Sequence, residues 1–260
     1  MRTKTVETNR RHDMKLFAIS DLHFALSVDK PMDVFGSRWA DHVERIIAHW
    51  HRDISDEDTV LIGGDISWGN SLEEAESDLG LLNTLPGEKI LLRGNHDYWW
   101  TTVRKMEQFC REKGFQSLRF LRNNALSVAG FHVCGARGWV LPQDKDFSNE
   151  DEKILNRENI RLELSLTELR RLRKNEGCER PSVALMHYPP ISEAGDASVL
   201  SVQLEEAGVD VCVFGHIHHA VPLYLAGPEI HGVKYLIASS DQLDFRPLLI
   251  GEDGVFDQFE

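Results

Sequence analysis

The chain has 260 residues, 42% of them hydrophobic and 27% charged, a globular composition long enough to bury a sizeable core and unlike that of a disordered segment. Its formal net charge of −13 argues against broad, non-specific binding to nucleic acid or an anionic membrane, which needs a basic surface; a small phosphorylated partner is compatible with it, because bound divalent cations invert the local field. No apolar run approaches the roughly 18–20 residues of a membrane span, and the polar residues 1–13 lack the apolar core of a signal peptide, so the cytoplasm is the expected location.

Met14 opens an apolar run, Leu16 to Ile19, that reads as a first buried strand ending at Ser20. Residues 1–13 are therefore expected to be a flexible extension, or Met14 the native start, ahead of a single domain spanning 14–260. Val43, Ile46, Ile47 and Trp50 have helical spacing over 39–50. Thr59 to Ile62 is a second strand, stopped by Gly63-Gly64. Ser71 and Glu74 have the spacing of a capping box ahead of Leu72, Ala75, Leu79 and Leu82 on one helix face. Lys89 to Leu92 is a third strand, and a helix over 98–112 follows it. Ala125–Val128 and Phe131–Cys134 flank Ala129-Gly130 as a hairpin. The longest helix is expected over 151–174, with Leu155, Leu162, Leu166 and Leu169 inward and mixed charges outward. Ser182–Met186 and Val209–Phe214 read as strands around a short helix near 199–207. The runs Leu223–Ala226, Val233–Ala238 and Pro247–Ile250 read as an antiparallel tail. Cys110, Cys134, Cys178 and Cys212 form no CxxC pair and read as reduced, mostly buried thiols.

Metal-ligand residue types fall at the ends of these strands. Five apolar runs end in Asp21-Leu22-His23, Gly64-Asp65, Gly94-Asn95-His96-Asp97, His187 and Gly215-His216-Ile217-His218. Ligands of an open α/β sheet bind outside the carboxyl ends of its strands, so these side chains are expected on one rim. Imidazole and carboxylate suit Zn, Mn, Fe or Ni, and the absence of cysteine disfavours a closed structural zinc site. The glycines before Asp65, Asn95 and His216 permit sharp turns and close approach.

In these five motifs, spanning Asp21 to His218, the sequence resembles the calcineurin-like metallophosphoesterase superfamily. The resemblance implies a four-layer α/β/β/α sandwich, two mixed sheets flanked by helices, with a dinuclear site at the strand ends. It implies that Asp21, His23 and His218 bind one metal, that Asn95, His187 and His216 bind the other, and that Asp65 bridges them. The ions would be two divalent or trivalent metals, and hydrolysis of a phosphomonoester or phosphodiester would proceed by in-line attack of a metal-bridging hydroxide. His96 would act as general acid. Asp97 would orient His96 or cap the following helix. The phosphoprotein phosphatase branch continues its second motif as GDxxDRG, whereas Trp68 and Gly69 stand here at the second Asp and the Arg; a phosphoprotein substrate is disfavoured.

Several aromatic and basic residues crowd the motifs. Trp68 and Trp139 read equally as a wall on which a flat leaving group stacks and as core, whereas Trp99 and Trp100 read as core. Arg137 reads as a phosphate clamp or as a surface arginine. The competing class is a non-catalytic metal-binding scaffold of the same fold; the complete ligand set and His96 speak against it.

Overall fold

The computed structural model describes residues 14–178 and 180–259; the expected extension at 1–13 lies outside them. Two six-stranded sheets form the frame. In the first, β1 (Lys15–Ile19), β2 (Thr59–Ile62), β3 (Glu88–Leu91) and β4 (Leu118–Phe120) run parallel, and β11 (Leu248–Glu252) and β12 (Val255–Phe256) extend it antiparallel beyond β1. In the second, β6 (Phe131–Ala136), β7 (Ser182–Met186), β8 (Val211–Phe214) and β10 (Val233–Ile237) run parallel, edged by the antiparallel strands β5 (Leu126–Val128) and β9 (Glu229–Ile230).

Both faces of the central strands are apolar, and alternation along each strand feeds two different cores. Leu16, Ala18, Leu61 and Ile90 of the first sheet meet Val133, Val183, Leu185, Val211 and Val213 of the second in an inner core between the sheets. The intervening residues Phe17, Ile19, Val60, Ile62 and Leu91 face outward. There they pack against Ile46 and Trp50 of α1 (His42–Asp53), Leu79 and Leu82 of α2 (Glu76–Thr84), and Met106 and Phe109 of α3 (Val103–Lys113). Ala184, Met186, Cys212 and Phe214 likewise face α4 (Asn149–Glu176), α5 (Val199–Glu206) and α6 (Pro222–Leu225). The result is the expected α/β/β/α layering.

Several local expectations need correction. Only half of the capping box at Ser71 forms: the Glu74 backbone N–H donates to the Ser71 hydroxyl, but the Glu74 carboxylate accepts from Asn70 instead of Ser71, and α2 begins only at Glu76, with no side-chain cap. α1 starts at His42 and not near Trp39, because Asp41 sits in the left-handed region at φ 53°. α3 starts at Val103, capped by the Thr102 hydroxyl, after an irregular stretch over 98–102. Leu223–Ala226 is not a strand: Pro222 opens the short helix α6. Nor is the tail uniformly antiparallel, since β10 runs parallel to β8 and β11 joins the other sheet. Strand β4 was not foreseen. No helix among the described residues is long and apolar enough to cross a membrane.

Candidate metal centre

The parallel strands β1, β2, β3, β7 and β8 deliver their C-terminal ends to one rim, and all seven candidate ligands come together there. The turns that present them are strained. Asp21, His23, Asp65 and His216 have φ of 59°, 47°, 51° and 69°, values that non-glycine residues seldom adopt and that collect where function requires a particular side-chain direction. Two glycines are dictated by close approach. A Cβ on Gly94 would lie 2.1 Å from Asp65 Oδ1, and one on Gly215 would lie 2.4 Å from Asp21 Oδ2.

The ligand atoms form two overlapping groups. Asp21, His23 and His218 each place one donor atom within 4.8 Å of the others, and so do Asp21, Asp65 and His187. Asp65 lies between the groups: Oδ2 is 3.8 Å from His23 Nε2 and Oδ1 is 3.7 Å from His187 Nε2. Asn95 Oδ1 lies 2.6 Å from His187 Nε2 and 3.0 Å from His216 Nδ1.

The hydrogen bonds around the ligands fix which atom each one offers. His187 Nδ1 lies 3.0 Å from the Gly63 carbonyl oxygen, which can only accept, so the neutral ring carries its proton there and turns the Nε2 lone pair to the rim. That lone pair meets the Asn95 oxygen, another acceptor, an arrangement that a cation satisfies. His218 Nδ1 lies 2.9 Å from Asp241 Oδ1, leaving Nε2 3.8 Å from Asp21 Oδ1. Asp241 is held in turn by Arg38 Nη1 at 3.2 Å. Asp21 Oδ2 accepts from the His216 backbone N–H, whereas Asp21 Oδ1 is buried with no hydrogen-bond partner among the described residues. An unpartnered buried carboxylate oxygen is costly, and divalent metal fits it.

Electrostatics agree. Burial pushes His187 down to about 3 and His216 down to about 4, and burial with the neighbouring His218 holds His23 well below the usual histidine range. These rings are neutral near pH 7, the form that binds metal. Burial also acts downward on His218, but its hydrogen bond to Asp241 and the charge of Asp21 outweigh this and raise it. Burial, then Asp21 and Asp97, push Asp65 up to about 9; a cation between the carboxylates would reverse that.

Asp97 has a different place from either one expected for it. It neither caps α3 nor hydrogen-bonds the His96 ring. Fully buried, its carboxylate accepts from the backbone N–H groups of Asp65, Ile66, Ser67 and Gly94 and from Trp99 Nε1. It ties the loop that carries Asp65 to the loop that carries Asn95. His96 donates its backbone N–H to Asp65 Oδ1, and its ring Nδ1 is buried without a partner.

His96 borders a cleft of about 670 Å³ lined by His23, Met32, Phe35, Arg38, Trp39, Trp68, His218 and Asp241, among others. Trp68 stacks on His23 with ring centroids 5.0 Å apart and lies 4.6 Å from His96. Trp139 is elsewhere: it packs on Tyr188 and donates its indole N–H to Asp151. Arg137 lies over the Trp139 ring and pairs with the buried Glu158. Sequence reasoning missed Arg38, Trp39 and Asp241.

The calcineurin-like phosphoesterase family profile matches residues 14–220. No curated protein matches the sequence. Among solved structures, TT1561 of Thermus thermophilus is similar in fold at 11% identity and a TM-score of 0.56, over 92% of this chain and 98% of that one. The protein of unknown function AQ665 from Aquifex aeolicus is 16% identical, with a TM-score of 0.47 over 91% of this chain and 95% of that one. The phosphopantetheinyl hydrolase of Mycobacterium tuberculosis is 15% identical, with a TM-score of 0.48 over 92% and 96%.

Proposed function

The chain belongs to the calcineurin-like phosphoesterase family, and from that premise we propose that it hydrolyses a small phosphomonoester or phosphodiester with two metal ions held at the strand-end rim. The observation that carries this reading is Asp65, whose two oxygens face different imidazoles, His23 on one side and His187 on the other. Asp21, His23 and His218 would hold one ion, Asn95, His187 and His216 the other, with Asp65 between them. Mn, Fe, Zn and Ni all accept such a nitrogen and oxygen set. The ions would supply Lewis acidity, drawing in phosphoryl oxygens and making water acidic enough to yield hydroxide near neutral pH.

The chain's own residues supply orientation and a proton. His96 faces the cleft, packed on Trp68, with a ring Nδ1 that has no hydrogen-bond partner among the described residues, and it donates a proton to the departing oxygen. Asp65 fixes the backbone of His96, so the acid and the rim move together. The cleft is far larger than a phosphate needs and falls within the ordinary range for organic ligands. The leaving group therefore lies along Met32, Trp39 and Trp68, with Arg38 available to a charged portion of it. The cytoplasm is the proposed location, in keeping with four free cysteines.

The test is metal analysis of the purified chain beside turnover of p-nitrophenyl phosphate and bis-p-nitrophenyl phosphate with Mn²⁺ supplied. Turnover that chelation abolishes is expected, and the preferred ester separates monoesterase from diesterase. A chain that takes up no metal even when supplied with Mn²⁺ would overturn the reading.

A further inference from the structure

A second polar site lies beside the rim, on the side away from the aromatic cleft. The cleft is built around the ends of β1, β2 and β8, whereas a small cavity of about 40 Å³ lies where β3 and β6 meet α4, lined by Arg93, Gly135, Arg137, Glu158 and Arg161, among others. Its position is fixed by the fold. Arg93 directly precedes Gly94-Asn95, and the Arg137 carbonyl accepts from the His187 backbone N–H at 3.1 Å.

The charges of this cavity do not balance. Glu158 is 1% exposed, and its Oε1 accepts from both Arg137 Nη2 and Arg161 Nη1. The Arg93 side chain makes no hydrogen bond or ion pair among the described residues, and the Nε atoms of Arg93 and Arg137 are buried without a partner. Four arginines, counting Arg122, whose Nη1 donates to the Thr101 carbonyl, thus line the cavity with one carboxylate. Arg93 is half-buried, and a buried donor such as its Nε left without an acceptor is unfavourable; guanidinium donors match the oxygens of a tetrahedral anion. Size narrows the class: a water needs about 10–15 Å³ of such volume, so the cavity has room for a few waters or one oxyanion. Glu158 Oε2 is also buried with no partner among the described residues. It can only accept unless protonated itself, so an anion that brings its own proton suits it better than one that does not.

We propose that Arg93, Arg137 and Arg161, with Glu158 as proton acceptor, form a binding site for a single phosphate group, separate from the metal centre. Phosphate carries a P–OH at neutral pH and sulfate does not, so phosphate is the favoured ligand. The group is either free inorganic phosphate or a second phosphoryl group on the substrate. The site stands on its own donors and does not require the hydrolytic reading.

The experiment is calorimetric titration of the full-length protein with inorganic phosphate and, separately, with sulfate. Wild type and His216→Ala should bind phosphate alike at this site and prefer it to sulfate. Arg93→Gln should lose about tenfold to a hundredfold in affinity, as expected when a charged hydrogen bond is removed. Arg161→Gln provides the same reading if Arg93→Gln does not fold. Phosphate binding that both arginine variants retain, or that disappears only in His216→Ala, overturns the proposal, as does equal affinity for sulfate. Esters carrying one phosphate or a terminal diphosphate then separate the two sources. A KM rise in Arg93→Gln confined to the diphosphate assigns the site to substrate, and unchanged KM with lost phosphate binding assigns it to the free anion.

Discussion

Replacing Asp97 by Asn changes one oxygen to an amide and leaves the volume almost unaltered, so its effect isolates the hydrogen bonds. Oδ2 accepts from Asp65 N at 2.9 Å and Gly94 N at 2.7 Å; Oδ1 accepts from Ile66 N at 2.9 Å, Ser67 N at 3.3 Å and Trp99 Nε1 at 3.0 Å. Burial raises the pKa of Asp97, and these donors oppose it. An asparagine can point its oxygen at only one set, so at least two buried N–H groups lose their acceptor and face another donor. At about 1–3 kcal/mol for each orphaned group, the cost is about 2–6 kcal/mol. That is a large part of the ~5–15 kcal/mol that holds an ordinary domain together. Because the two loops carry Asp65 and Asn95, metal content should fall along with stability. Urea denaturation at pH 7 with metal analysis of the same samples reads both. An Asn variant with the wild-type midpoint and full metal content would show that Asp97 does not organise the rim.

Further outcomes are expected. His96→Ala should lower turnover by about 10²–10⁴-fold with metal content unchanged; loss of metal instead would make His96 part of the metal site's scaffold. Gly94→Ala puts a Cβ 2.1 Å from Asp65 Oδ1, so metal should be lost along with about 1–3 kcal/mol or more of stability, and a variant with full metal content contradicts the close approach. Asp241→Ala removes the acceptor that orients His218, which should weaken metal binding by about 10–100-fold; unchanged affinity in a metal titration would remove Asp241 from the site. At pH 7 the metal-free chain holds a proton on Asp65, raised to about 9, and none on His187 or His216, lowered to about 3 and about 4. Metal uptake should therefore release the Asp65 proton together with whatever proton His218, whose pKa is raised, still holds, measurable by calorimetry in buffers of different ionisation enthalpy; uptake with no release contradicts the Asp65 assignment. The same Asp65 shift makes the metal-free fold lose stability as pH rises from about 4 toward 9, because the unfolded chain has already given up that proton. The lowered histidines act oppositely, costing stability as pH falls from about 6.5 toward 4, where only the unfolded chain binds protons on them.

The rim was legible because its signal is local. An apolar run that stops at Asp, Asn or His places that residue at a strand end, and parallel strands gather their ends by topology alone. The cleft was less legible because Trp39 opens a window of helical periodicity, with Arg38 just ahead of it, that Asp41 breaks with a left-handed backbone, which composition does not reveal. Glu158 did carry a signal: it falls on the inward stripe of α4 between Leu155 and Leu162, a register where a carboxylate must find buried partners. Asp241 is the instructive miss. Val233 to Ala238 is an apolar run that ends in Ser239-Ser240-Asp241, the same punctuation that marked the other ligand-bearing strands. Read as part of an antiparallel tail, this strand would end at the far side of the sheet. Its true pairing is parallel, with Lys234 opposite Val211 and Ile237 opposite Phe214, so the residues that follow it arrive beside the loop after β8, which carries His216 and His218. Strand direction, which side-chain periodicity does not encode, decides whether this carboxylate can reach His218.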